Sequence, residues 1–166
     1  TLVTKEKLDK KVFYNLANMI NYFSKYYPDK KIIVRLHPSG KSTKILLGLI
    51  NKTNNIDFHD PAQKTLEESF SNSQIAFFVY GTSLVSDAIE YGTIPLVLQN
   101  NSIIDYSFLK KLKLVYVFKD LNRIKIFGKQ LVDNFQYQKK WKKKIFTFLS
   151  NYYKKKLKFF KYFIIF

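Results

Sequence analysis

The chain has no cysteine, only two histidines and only twelve acidic residues among its 166. Without thiols it forms neither disulfides nor thiolate metal sites, a composition that fits a reducing compartment. Two histidines, His37 and His59, are too few for a histidine-rich metal centre. We therefore expect no metal and no cofactor.

The sequence also lacks a signal peptide and a long apolar run. No basic, apolar and small-residue pattern occurs near its start, and lysines interrupt every apolar stretch of the C-terminal segment. It begins at Thr1 rather than at methionine, so we expect an excerpt of a longer protein. We predict a cytoplasmic location, with peripheral attachment to the inner face of the cytoplasmic membrane as an option.

Basic residues outnumber acidic ones by 29 to 12, which gives a formal charge of +17. Ten lysines lie between residues 139 and 161, and no acidic residue follows Asp133. Such an excess favours anionic partners, namely nucleotides, nucleic acid or acidic lipid. Much of the charge belongs to the C-terminal segment, so it says little about a site in the body of the chain.

Short apolar, β-rich runs alternate with segments of helical periodicity along most of the chain. We predict strands at 31–37, 55–59, 74–80, 93–98 and 113–118, and helices at 5–27, 42–53, 63–73, 83–92 and 121–135. This alternation predicts an α/β fold, a doubly wound and mainly parallel sheet of Rossmann-like type. We divide the chain into a Rossmann-like domain, 1–135, and a basic, aromatic helical tail, 136–166.

The tail carries an approximately helical apolar stripe flanked by lysines. Its members are Trp141, Ile145, Leu149, Tyr152, Leu157, Phe160 and Ile164. The stripe either packs on a missing N-terminal half or lies on an anionic membrane surface. Nucleic-acid binding through lysines and aromatic rings is a third, disfavoured interpretation.

The stretch "RLHPSGKST", residues 35–43, ends like a phosphate-binding Walker loop. The first glycine of that motif is replaced by Arg35, however, and Pro38 lacks an N–H group, so we reject this interpretation. His37 instead closes a predicted strand, and Pro38 directs the chain out of the sheet. The imidazole should then project at the carboxyl edge, where open α/β sheets bind ligands. The alternative is that His37 only hydrogen-bonds a neighbouring loop.

A second turn, Gly81-Thr82-Ser83, follows the predicted strand 74–80 and begins the next helix. It offers two vicinal hydroxyls and several unpaired N–H groups at the same edge, which suits a phosphate. The alternative is that one hydroxyl only caps the helix.

Acidic residues lie between these two turns, and a carboxylate there could bind a ribose diol. The candidates are Asp60, Glu67 and Glu68, of which we prefer Glu67. The alternative for at least one of the glutamates is a solvated helix face.

Together, His37-Pro38 at a strand end, Thr82-Ser83 at a strand-to-helix turn and the following "AIEYGTIPLVL" resemble a known family. They are similar to the nucleotide-binding C-terminal half of GT-B-fold bacterial glycosyltransferases. Within that fold they most resemble the HP-motif sialyltransferases and capsule transferases that use CMP-sugars. The resemblance covers about residues 31–98, and Thr82 and Ser39 depart from the serine and arginine common in that family.

The resemblance implies an inverting transfer from a CMP-activated sugar to a glycan or glycolipid acceptor, in the synthesis of bacterial lipooligosaccharide or capsule. A missing N-terminal domain would supply the acceptor site and the general base, so the enzyme is incomplete in this chain. His37 would be catalytic as a general acid, and Glu67 would hold the ribose. The implied donor-binding residues are His37, Pro38, Ser39, Gly40, Glu67, Gly81, Thr82 and Ser83.

Other functions fit the same architecture. A CDP-glycerol-type phosphotransferase or a UDP-sugar epimerase-like domain are the enzymatic alternatives. A non-catalytic basic module that binds membrane or nucleic acid is the third.

Overall fold

The computed structural model describes residues 5–35, 43–79, 82–98 and 104–163. Within these ranges the chain forms seven helices and five strands, and the predicted α/β class is confirmed. Their order is α1 Lys5–Tyr26, β1 Ile32–Arg35, α2 Thr43–Leu49, β2 Ile56–His59, α3 Leu66–Phe70, β3 Ile75–Phe78, α4 Leu84–Glu90, β4 Ile94–Leu98, α5 Ser107–Lys111, β5 Tyr116–Phe118, α6 Leu121–Asp133 and α7 Phe135–Phe163.

The strands are short and pair in parallel, in two hydrogen-bonded sheets. In the first sheet β1 pairs with β2, and Arg35 lies opposite His59. In the second, β4 lies between β3 and β5, with Phe77 opposite Leu96 and Leu96 opposite Tyr116. Parallel strands need crossover connections, and a helix lies between each pair of successive strands.

The helix α1 packs against both sheets with one amphipathic face. Ala17 and Ile20 lie in a small cluster with Val34 of β1. Phe23 belongs to the larger cluster around the second sheet, where its ring centroid lies 4.7 Å from that of Phe77. A single helix therefore joins the two sheets into one body.

The centre of the larger core is β4, whose five residues are all buried. A central parallel strand covered on both faces is expected to be apolar throughout, as "IPLVL" is. Gly92 lies between α4 and this strand. It has a φ of 73° and terminates α4, as predicted. The N–H groups of Gly92 and Thr93 donate to the carbonyls of Ile89 and Ala88, which is the Schellman arrangement.

The helix α6 approaches α1 and β3 closely at Gly128. A Cβ atom at this position would lie 2.9 Å from Phe23 Cζ and 2.9 Å from two ring atoms of Phe77. Ordinary carbon contacts are about 3.5–4.0 Å, so only glycine fits here without a shift of the rings. The packing of the two phenylalanines thus depends on residue 128 having no side chain.

The first half of α7 is part of the core. Trp141 and Ile145 are buried in the larger cluster, and the Gln138 amide donates to the Leu131 carbonyl at 2.6 Å. The apolar stripe predicted for this segment therefore packs on the chain's own body over its first three members, since Leu149 is partly buried against the same cluster. Tyr152, a later member, is 51 % exposed.

Several local expectations differ from the structure. The helix predicted at 42–53 ends at Leu49, and the strand predicted at 113–118 begins at Tyr116. The helix predicted at 63–73 shortens to α3, because Asp60 organises the residues before it into a turn and the helix begins only at the Thr65 cap. The helix α5 was not predicted from "SFLKK", which carries too few apolar positions to show a periodicity.

Candidate functional site

The predicted site residues divide into two groups. Five of them lie outside the described residues, in the segments 36–42 and 80–81: His37, Pro38, Ser39, Gly40 and Gly81. The structure describes Thr82, Ser83 and Glu67. These three residues can be placed in the fold.

Thr82 and Ser83 lie just after the carboxyl end of β3 and directly before α4. The Thr82 hydroxyl oxygen accepts from the Leu84 N–H at 3.3 Å, so its own proton stays available for donation. Ser83 is exposed, and its side chain makes no capping hydrogen bond. Two hydroxyl donors therefore stand side by side at this turn.

The backbone of this turn is held by Tyr106, a residue that the sequence did not single out. The Thr82 N–H donates to the Tyr106 hydroxyl at 2.8 Å, and that hydroxyl donates to the Thr82 carbonyl at 3.0 Å. Tyr106 is buried, and burial raises the pKa of its hydroxyl despite the backbone hydrogen bond to Thr82. A neutral tyrosine that both accepts and donates fixes the conformation of the turn.

Tyr106 also corrects the prediction of several unpaired N–H groups at this turn. The N–H groups of Thr82, Leu84, Val85 and Ser86 all have partners within the chain. Any anion bound here would therefore rely mainly on the two hydroxyls. A tyrosine 24 residues away leaves no local sequence pattern that could have predicted this contact.

Glu67 and Glu68 have different roles in α3. Glu68 completes a capping box, in which its carboxylate accepts from the Thr65 N–H at 2.7 Å and the Thr65 hydroxyl accepts from the Glu68 N–H. The Thr65 hydrogen bonds hold the pKa of Glu68 below its usual value. Glu67 is exposed, and among the described residues its carboxylate makes no hydrogen bond or ion pair. Of the two, Glu67 is the one available to a ligand.

A buried polar cluster lies beside the carboxyl ends of β1 and β2. Arg35 Nη1 lies 2.9 Å from the carbonyls of Lys64 and Thr65 and 2.9 Å from the Ser69 hydroxyl. The same hydroxyl lies 2.9 Å from His59 Nδ1. These contacts fasten the start of α3 to the ends of both strands.

The cluster continues to the surface through Asp57. Its carboxylate accepts from His59 Nε2 at 3.2 Å and from the Lys31 ammonium at 2.7 Å. The hydrogen bond from Lys31 is the main cause that holds the pKa of Asp57 below its usual value. Asp57 is therefore ionised at neutral pH, and His59 Nε2 carries a proton toward it.

Asp57, His59 and Ser69 have the residue types of a catalytic triad but not its chemistry. Ser69 is buried, accepts from Arg35 and lies 3.0 Å from the Thr65 carbonyl, so its oxygen does not face a substrate. A nucleophilic serine needs an accessible oxygen with a base as its partner. The cluster is therefore structural. It holds α3 and the end of β1 in place next to the predicted ligand-binding edge.

In the described part of the chain no group of three histidine, cysteine, aspartate or glutamate residues is placed to hold a metal ion. The helices that the structure describes include none with the length and apolar character needed to span a membrane.

Comparisons with known proteins identify no relative, since no family model, curated protein or solved structure matches the chain.

Proposed function

We propose that this chain is the donor-binding domain of an inverting GT-B glycosyltransferase that uses a CMP-activated sugar. The observation that carries the proposal is the Thr82-Ser83 turn, where two hydroxyls stand at the carboxyl end of a strand in a parallel sheet. Ligands of open α/β sheets bind at that edge.

We further propose that the two sheets belong to one doubly wound arrangement with the strand order β2-β1-β3-β4-β5. Support comes from α1, which packs on Val34 of β1 and on Phe77 of β3. In this order β1 and β3 flank the point where the winding reverses, which is the usual ligand crevice. The segment 36–42, with His37, follows β1, and the turn with Thr82 follows β3.

In the proposed mechanism the two hydroxyls and His37 bind the phosphate of CMP as it leaves the sugar. Each preorganised donor to a developing anion contributes about 3 kcal/mol of transition-state stabilisation. His37 acts as the general acid, a role typically worth about 100-fold or more in rate. Glu67, exposed on the first turn of α3, accepts hydrogen bonds from the ribose. The general base and the acceptor site belong to a further N-terminal domain.

Titration calorimetry with CMP on the chain tests the donor-binding step. We expect Ser83→Ala to weaken CMP binding by about 10- to 150-fold, because one hydrogen bond to a charged group contributes about 1.5–3 kcal/mol. Ser86→Ala is the matched control, since Ser86 is exposed in α4, three residues further along the chain. Equal CMP affinity in both variants would contradict the proposal.

The two histidines provide a second test. His37→Ala should weaken CMP binding by about 10- to 150-fold, because it removes one hydrogen bond to the phosphate. His59→Ala should lower the melting temperature, because it breaks the buried contacts with Ser69 and Asp57. Unchanged CMP binding by His37→Ala would refute the assignment of the site.

The choice of nucleotide separates this proposal from its enzymatic alternatives. We expect CMP to displace a bound cytidine probe more effectively than UMP does. Stronger competition by a CDP-alcohol than by a CMP-sugar would favour a phosphotransferase, and stronger competition by UDP compounds would favour the epimerase-like alternative.

A further inference from the structure

The helix α7 presents two faces of different character. Gln138, Trp141 and Ile145 are buried against the core. A second set, spaced three or four residues apart, is exposed on another side of the helix. We call this set the outer face of α7, and it consists of Phe135, Lys139, Lys142, Lys143 and Phe146.

The outer face combines high apolar exposure with positive charge. Phe146 is 75 % exposed and Phe135 68 % exposed, the highest values among the large apolar side chains that the structure describes. Within the described part of the chain, Lys139, Lys142 and Lys143 form no ion pair. The sequence contains no carboxylate after Asp133 that could neutralise them.

We propose that the outer face of α7 docks on the surface of an anionic lipid bilayer. The lysines would pair with lipid phosphates, while the two phenylalanine rings enter the boundary between headgroups and acyl chains. Another face of the helix, with Trp141 and Ile145, already packs on the protein, so α7 lies flat on the bilayer rather than inserting across it. The surface is independent of the donor-binding proposal.

The spacing of the two rings favours a bilayer over single-stranded nucleic acid. Phe135 and Phe146 are eleven residues apart, which is about 16 Å along a helix. Successive bases stack on neighbouring aromatic rings, and here lysines separate the rings. A flat lipid surface contacts both rings and the intervening lysines at once.

Flotation of the whole chain with lipid vesicles tests the proposal. The probes are vesicles of phosphatidylglycerol mixed with phosphatidylcholine and vesicles of phosphatidylcholine alone, at physiological ionic strength. We expect binding to the anionic vesicles only. Deleting the tail is not a suitable variant, because Trp141 and Ile145 belong to the core.

The decisive variant is Lys139→Gln/Lys143→Gln. Each lysine near an anionic surface strengthens binding about fivefold, so the double substitution should weaken it about 25-fold. The matched control, Lys10→Gln/Lys11→Gln, removes the same charge from exposed positions on another helix, α1, and should change binding about twofold at most, since these lysines are not part of the outer face. Phe146→Ser should weaken binding about tenfold because it removes an apolar contact.

Three outcomes would overturn the proposal. The first is equal binding to both kinds of vesicle, and the second is an equal loss in the α7 and α1 variants. The third is that the α7 lysine variant loses affinity for a single-stranded oligonucleotide while its affinity for anionic vesicles stays unchanged. Circular dichroism and melting of each variant check that the fold is intact.

Discussion

Gly128→Ala should destabilise the protein although alanine is the better helix former. In α6 the substitution gains about 1 kcal/mol of helix propensity. The added Cβ would lie 2.9 Å from the rings of Phe23 and Phe77, and overpacking of a core typically costs about 1–3 kcal/mol. Both rings are packed between α1, α6 and β3, so they have little room to move. We therefore expect a cost of about 2–3 kcal/mol, in the upper part of that range, and a net loss of about 1–2 kcal/mol.

The matched control is Gly48→Ala in α2, where nothing lies within 4 Å of the added Cβ. At that position only the helix propensity changes, so the free energy of unfolding should rise by up to about 1 kcal/mol. Urea unfolding followed by circular dichroism measures both variants, and the slope against urea should not change. In a chain of this size the Gly128→Ala loss corresponds to a fall of about 2–8 °C in melting temperature. If Gly128→Ala is as stable as Gly48→Ala, the close packing of α6 on the two rings is refuted.

Three further predictions concern the turn, the end of α4 and the acidic surface. Tyr106→Phe removes the partner of the Thr82 N–H, while the Thr82 carbonyl keeps the Val85 N–H, and should cost about 1–3 kcal/mol in urea unfolding. An unchanged midpoint would show that Tyr106 does not hold the turn. Gly92→Ala meets no atom within 4 Å, so its loss of about 1–2 kcal/mol in a melting experiment would come from the positive φ alone. The hydrogen bond from Lys31 depresses the pKa of Asp57 in the folded state. The stability that this contact contributes is therefore present above the unfolded pKa of about 3.9 and is lost as the pH falls through the folded-state pKa. Stability measured between neutral and acid pH should therefore fall less steeply in Asp57→Asn than in the unsubstituted chain.

The sequence predicted the fold class well because its patterns are local. All five strands and the amphipathic helix α1 lie where the apolar periodicity placed them. Gly92 was correctly assigned as the end of α4, since a glycine after the last periodic residue has a known capping role. The ends of elements were predicted less well, as for α3, because capping and turn contacts decide them.

Long-range contacts escaped the prediction. Tyr106 closes the turn at Thr82 across 24 residues, and Arg35 holds α3 through carbonyls 29 and 30 residues away. Neither contact follows a period or a motif. The apolar stripe of the tail was identified, but the surface it packs on depends on how α6 and α7 meet. The roles predicted for Glu67, Thr82 and Ser83 stay predictions, and those for His37 and Gly81 fall outside the described residues.

The position of α1 across both sheets bears on how the chain unfolds. Each sheet alone is small, with two or three short strands, and both depend on the same helix for part of their apolar cover. Loss of this helix would uncover both clusters together, so neither sheet has a separate route to stability. We therefore expect a single cooperative transition in which the two sheets melt together.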